Sequence, residues 1–302
     1  MKRVFGICAT VLLLLATTAC VQILRNSGEE TAARGPADSL RFATLNVHYI
    51  ILGRETGAWS VGDWERRKAP LDAAFKDVAA DVFAFQEMES FARGSDGDTN
   101  LARDWLLDQN PAYRAAAVGD WRAFPSTQPI FFRADRLAVV DQGWFFFSDT
   151  PDVIYSRTFN GSWPAFASWA QFETRDGQRF RVINVHFEYK SRSNRILSAE
   201  LVVDRMAPWI EAGENIVLIG DINARHGART QDILAAAGLQ FAPVAGATYH
   251  FNRGLNLFGA IDHIGVTQNM NIVGHPVVLR NKYLNEWPSD HYPVYADFRF
   301  AE

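Results

Sequence analysis

Ile216-Val217-Leu218-Ile219-Gly220-Asp221-Ile222-Asn223 is an apolar run that stops in a carboxylate and an amide two residues apart. Four consecutive branched apolar residues read as a buried strand. In extended backbone, spacing two puts Asp221 and Asn223 on one face. A carboxylate taken out of water is costly unless it is paired or bound to a cation, so the end of this strand calls for a partner.

The pattern recurs along the chain. Phe83-Ala84-Phe85-Gln86-Glu87 places an acid at another strand's carboxyl end. Thr44-Leu45-Asn46-Val47-His48 and Ile183-Asn184-Val185-His186 share an Asn-Val-His ending at spacing two. Ile261-Asp262-His263 ends an apolar run, and Ser289-Asp290-His291-Tyr292-Pro293-Val294 just precedes one. Glu87, Asp221, Asp262 and Asp290 therefore each call for a partner or a cation. Oxygen ligands without thiols suit a hard cation such as Mg2+, with Mn2+ or Ca2+ as substitutes, and disfavour zinc. Such a cation beside histidines suits phosphate-ester chemistry, in which the metal offsets phosphoryl charge and a histidine oriented by an acid takes a proton from water.

Strands are expected at Arg41–Val47, Val82–Gln86, Leu137–Phe147, Phe180–His186, Ile216–Gly220, Ala260–Val266 and Val294–Phe300. Helices are expected from Pro70 to about Ala80, from Asn194 to about Ala212, and over Asp232–Ala237. Strict strand-helix alternation is missing, which favours an α+β layered sandwich over a doubly wound parallel sheet. The 302 residues allow a large core, and 48% hydrophobic with 21% charged residues is ordinary globular usage that excludes a disordered or low-complexity chain. A formal net charge of -4 gives no support for non-specific nucleic-acid binding.

Both cysteines, Cys8 and Cys20, fall in the first twenty residues, so the body holds no disulfide framework and no disulfide partner is expected. Lys2-Arg3 precedes an apolar run, Val4 to Ala16, of secretory h-region length. The following Ala16-Thr17-Thr18-Ala19-Cys20 resembles the lipobox of bacterial lipoproteins, which implies lipidation of Cys20 and a membrane partner. Residues 1–19 are thus expected as a signal peptide of lipoprotein type, 20–39 as a flexible tether, and 40–302 as one domain. The product is expected to be exported to the cell envelope; the absence of an acidic residue after Cys20 leans towards the outer membrane.

Taken together, Leu45-Asn46-Val47, Phe85-Gln86-Glu87, Asn184-Val185-His186, Gly220-Asp221-Ile222-Asn223, Ile261-Asp262-His263 and Ser289-Asp290-His291 resemble, in order, the motifs of the endonuclease/exonuclease/phosphatase superfamily. The resemblance implies a four-layered α/β/β/α sandwich of the pancreatic-deoxyribonuclease type, with the site at the strand ends. It implies Glu87, Asn46 and Asp290 as metal contacts, Asp221 and Asn223 orienting water and phosphoryl oxygens, and His291 as the catalytic histidine held by Asp262. His186 would donate to a phosphoryl oxygen or the leaving group, and His48 stands where other members carry an acid.

Asn184, Arg195 and His250 are candidate substrate contacts, with Lys190 and Arg192 near Arg195 as further anion contacts. Thr248 to Gly254 reads as a loop able to carry specificity. The aromatic residues around Trp144, Trp163 and Trp169 are read as core packing, and His263 as structural. The activity implied is hydrolysis of a phosphodiester in nucleic acid, phospholipid or a small molecule. A phosphomonoesterase acting on a lipid or sugar phosphate, or a non-catalytic surface lipoprotein used as a binding module, are the alternatives.

Overall fold

The computed structural model describes residues 2–25, 31, 33–92 and 99–301. Among these, helix α1 (Lys2–Arg25) is followed by β1 (Leu40–Asn46), β2 (Ile50–Ile51), α2 (Val61–Val78), β3 (Val82–Gln86), β4 (Ser90–Phe91), α3 (Leu101–Gln109), β5 (Tyr113–Ala116) and β6 (Ile130–Arg133). Next come β7 (Leu137–Phe146), β8 (Phe166–Thr174), β9 (Arg179–His186), α4 (Arg192–Glu211), β10 (Asn215–Asp221), α5 (Arg229–Ala236), β11 (Gln240–Phe241), β12 (Asp262–Val266), β13 (Met270–Val278) and β14 (Val294–Phe300).

Two six-stranded mixed sheets run β13-β14-β1-β3-β6-β5 and β11-β12-β10-β9-β8-β7. Strand alternation sorts the apolar residues into layers. Phe42, Val82, Ala84, Val182, Val217, Ile219 and Phe298 meet between the sheets. The opposite faces pack helices: Leu45, Phe83 and Phe85 against Leu71 and Phe75 of α2, and Ile183, Ile216 and Leu218 against Val202 and Met206 of α4. The result is the four-layered α/β/β/α sandwich that the motifs implied.

The same alternation positions the site. Asn46, Gln86, His186, Asp221 and Asp262 each continue the inward-facing row of their strand, where polar side chains replace the apolar ones at one end of the inter-sheet seam. Parallel pairing aligns Asn46 with Gln86 and Asp221 with His186, and antiparallel pairing sets Asp221 opposite Asp262. The extended reading of 216–223 stops at Asp221. Asn223 is left-handed, φ 47°, and its N–H donates to Asp221 Oδ1 at 2.8 Å in an Asx-type turn.

Several sequence expectations need correction. α2 begins at Val61, not Pro70, because Ser60 caps it by accepting from the Asp63 N–H at 3.0 Å; Pro70 sits inside the helix. The helix α3 and the strands β2, β4, β5, β6, β11 and β13 were not expected. Residues 33–39 are not a free tether: Arg34 donates to Ala79 O and Asp81, the Gly35 N–H to Asp297, and Arg41 to Ala33 O. Residues 26–30 and 32 of that expected tether lie outside the described residues, and α1 runs through positions 20–25. The side chain of Cys20 also lies outside them.

Gly220 sits at φ 139°, and a Cβ there would overlap the carbonyl oxygen of its pairing partner Val185. Because β9 and β10 carry His186 and Asp221, relief by separating them also splits the site. Gly220→Ala is expected to cost about 3–5 kcal/mol of stability, read as a denaturation midpoint; a shift within about 0.5 kcal/mol would contradict this packing.

Candidate active site

Six strand ends supply the side chains. His291, just before β14, is buried, and its Nδ1 lies 2.9 Å from Oδ2 of the buried Asp262 on β12. Its Nε2 points to Asp221 Oδ2 at 3.9 Å. On the other side of that carboxylate, His186 Nε2 stands 3.6 Å from Asp221 Oδ2 and 3.8 Å from Glu87 Oε1. Asn46 Nδ2 donates to both acids, to Glu87 Oε1 at 3.2 Å and to Asp221 Oδ2 at 3.4 Å. Glu87 follows β3 in a left-handed conformation, φ 53°, which turns it away from the strand's regular alternation.

The electrostatics follow from burial. Desolvation opposes the charged form of His291, but the carboxylates of Asp262, Asp221 and Asp290 outweigh it and push the pKa up to about 10. Burial likewise opposes ionised Asp262, yet the charge and hydrogen bond of His291 hold it below the ordinary range. Asp221 is pushed up to about 6 by burial and then by the negative charge of Asp262. One imidazolium is therefore fully engaged by Asp262, while Glu87 and Asp221 face each other across a neutral amide.

That donor set fits a hard divalent cation: Glu87 and Asn46, with Asp290 nearby, offer oxygens at neighbouring strand ends. Asp221, Asp262 and His291 also bring ligand atoms within 4.8 Å of one another. Two of these three, Asp262 and His291, are already joined to each other through Oδ2 and Nδ1. Asp290 borders the same region, and Ser289 Oγ donates to Asn46 O at 2.6 Å and lies 3.3 Å from Asp290 Oδ1.

Three expected substrate contacts are turned elsewhere. Asn184 is buried, donating to Phe85 O and accepting from Gln86 Nε2 at 2.7 Å, so it ties the two sheets together beneath the site. His250 is buried against Tyr292, ring centroids 4.0 Å apart, and burial lowers its pKa to about 4. Arg195 donates to the Glu188 and Tyr189 carbonyls and so holds the loop after His186. Asn223 Nδ2 donates to Phe187 O, leaving Oδ1 without a partner among the described residues. His263 is buried on Ala224 O, as a structural residue.

Arg67 is the residue that motif reading missed. Fully buried, it donates to Val47 O at 2.5 Å, His48 O at 2.6 Å and Pro288 O at 3.4 Å, and pairs with Asp63. It thereby joins the Asn46 turn to the Asp290-His291 turn. A single arginine in a charged helix carries no motif; only the helix start at Ser60, which places Arg67 on the inner face, could have pointed to it.

No family model matches the sequence, and no curated protein matches it significantly. Solved structures do resemble it. A mannosyl-6-phosphatase of Bacteroides thetaiotaomicron superposes with a TM-score of 0.73 at 24% identity, over 86% of this chain and 100% of that one. An endonuclease/exonuclease/phosphatase family protein from the same organism gives 0.72 at 24% identity, over 86% and 97%. The human Nocturnin catalytic domain, solved with a bound sulfate anion, gives 0.62 at 16% identity, over 89% and 97%. This is the endonuclease/exonuclease/phosphatase fold. Asn46, Glu87 and His291 stand at strand ends of the sheet that holds β1, β3 and β14, and His186, Asp221 and Asp262 at strand ends of the other, so the His291–Asp262 hydrogen bond spans the seam between the sheets.

Proposed function

We propose that the chain is a divalent-cation-dependent phosphoesterase. The observation that carries this reading is the buried Asp262–His291 pair aimed at Asp221, opposite Glu87, Asn46 and His186. Asp262 holds the Nδ1–H of His291, which leaves Nε2 as the atom that removes a proton from water. Asp221 lies between the two imidazoles and orients that water. The new P–O bond forms as the ester P–O bond opposite it breaks, and His186 acts as the acid that donates a proton to the leaving oxygen.

Glu87 and Asn46, with Asp290, would hold the cation, Mg2+ by choice and Mn2+ or Ca2+ as substitutes; bound there it would offset phosphoryl charge. The substrate is a phosphodiester in this reading, nucleic acid included. A phosphomonoester is the second reading, supported by the similarity to the mannosyl-6-phosphatase. The test is release of p-nitrophenol from bis(p-nitrophenyl) phosphate and from p-nitrophenyl phosphate, in Mg2+ and in EDTA. Activity at least about 100-fold lower in EDTA is expected. No turnover of either ester by folded protein would return the chain to a non-catalytic binding module.

Export completes the proposal. Lys2 and Arg3 head α1, and Leu12 to Leu15 on it are exposed. Among the described residues, no helix is long and apolar enough to cross a membrane. A cleaved signal peptide and a lipid on Cys20, anchoring the domain at the cell envelope, account for such a segment. Incorporation of labelled palmitate into the chain, abolished in Cys20→Ser, is the expected result; labelling that persists in the variant would contradict it.

A further inference from the structure

Thr248 is fully buried in the connection from β11 to β12, and the mechanism gives it no part. Its hydroxyl oxygen accepts from the Ile261 N–H at 3.0 Å and from the Asp262 N–H at 3.2 Å. A threonine hydroxyl has two acceptor positions and one O–H. Both acceptor positions are filled, and what the side chain still has to place is its proton.

Asp262 presents the complementary need. Its Oδ2 lies 2.9 Å from His291 Nδ1, while Oδ1 is buried with no regular hydrogen bond among the described residues. Burial opposes the charged form of this carboxyl; the charge and hydrogen bond of His291, and after them the Thr248 hydroxyl, hold its pKa below the ordinary range. A buried proton without an acceptor and a buried carboxylate oxygen without a donor are both unfavourable. Here the two are neighbours.

We propose that Thr248 donates its hydroxyl proton to Asp262 Oδ1 and is the positioning residue of the His291–Asp262 pair; the inference rests on the phosphoesterase reading. The torsion that turns an aspartate carboxylate about its Cβ–Cγ bond is soft. With Oδ1 held by Thr248, the carboxylate plane is fixed and Oδ2 stays on His291 Nδ1. The backbone of the same residue grips the other half of the pair. Residues 248–250 run antiparallel to 290–292: the Tyr292 N–H donates to Thr248 O and the His250 N–H to Asp290 O, both at 2.8 Å, with Tyr249 opposite His291. Acid and base stand on different sheets, so neither sheet alone sets their registry. Thr248 touches both.

A threonine that only capped the backbone of Ile261 and Asp262 would affect stability and act on turnover independently of the Asp262 carboxylate. A double-mutant cycle separates the two roles. The full chain is assayed in Mg2+ with whichever of bis(p-nitrophenyl) phosphate and p-nitrophenyl phosphate it turns over faster. Thr248→Val keeps the shape and removes the hydroxyl; kcat is expected to fall at least about tenfold, the scale of a hydrogen bond lost to a charged group, with KM little changed. Thr248→Ser, which keeps the O–H, is expected to stay within about threefold of wild type. In the Asp262→Ala background Thr248→Val is expected to change kcat by less than about threefold, because the carboxylate it acts on is gone. A tenfold loss that persists in that background, a wild-type kcat in Thr248→Val, or a Thr248→Ser variant as slow as Thr248→Val would overturn the inference.

A second measurement decides the matter if Thr248→Val does not fold, or if neither ester is turned over, in which case the phosphoesterase reading fails separately. The Thr248 hydroxyl proton is followed by NMR in wild type and in Asp262→Ala. A slowly exchanging resonance, shifted or lost in Asp262→Ala, is expected. A proton that exchanges as fast as that of an exposed threonine, or one that is unchanged in the variant, would remove the bond.

Discussion

His291→Ala is expected to lower kcat by about 10^2 to 10^4, the span that a positioned general base contributes, while leaving the fold intact. The side chain sits at the end of the seam, and its loss leaves β14 and the core between the sheets untouched. Near-wild-type turnover would refute the mechanism. Asp262→Asn sharpens the test through pH. The base must be neutral to accept a proton, and the carboxylates around it, Asp262 first, outweigh burial and push its pKa up to about 10. Activity should therefore rise with pH. Removing the Asp262 charge should move that rising limb to lower pH while the maximum falls, because an amide no longer enforces the correct tautomer. A limb that stays in place in Asp262→Asn would show that another group carries it. The stability of the pair runs the other way. A histidine whose pKa rises on folding stabilises the fold fully below its unfolded pKa of about 6.5 and loses that contribution as pH climbs through about 10. Wild-type protein should thus lose stability between those limits, and His291→Ala should lose less.

Which parts of this arrangement were legible in the sequence follows from alternation. Asn46, His186, Asp221 and Asp262 are each the polar end of an apolar strand, and period two alone puts them on the core-facing row. Two misreadings share one cause. Asn184 precedes His186 by two and shares its face, but one step further into the seam it meets Gln86 of the facing sheet rather than solvent. His250 lies in a loop that looked exposed, yet Trp287 and Tyr292 close over it. Spacing reports the face of an element and is silent on what covers that face. The same silence hid Arg67, whose partners Val47, His48 and Pro288 are backbone carbonyls with no side-chain signature. Thr248 stands 14 residues before Asp262, and only the folded chain brings the two together.

Glu87→Gln separates cation binding from every other role of that residue. The amide keeps the shape and can still accept from Asn46 Nδ2, which lies 3.2 Å from Oε1, so the change removes a charge and little else. Half-maximal Mg2+ is expected to rise at least about tenfold, with kcat lowered about 10^2-fold, the scale of a lost charge contact to a catalytic cation. A readout independent of turnover is thermal stability. A cation at 100 times its Kd stabilises wild type by about 2.7 kcal/mol, visible as a rise in Tm that Glu87→Gln should not show. Without cation the ranking should reverse. Glu87 and Asp221 then face one another across the Asn46 amide, and the neutral variant escapes their repulsion, so it should unfold at the same temperature as wild type or higher. A variant less stable than wild type in EDTA would mean that Glu87 serves the fold; one more stable, and unresponsive to Mg2+, would mean that the fold tolerates this acid for the sake of the ion.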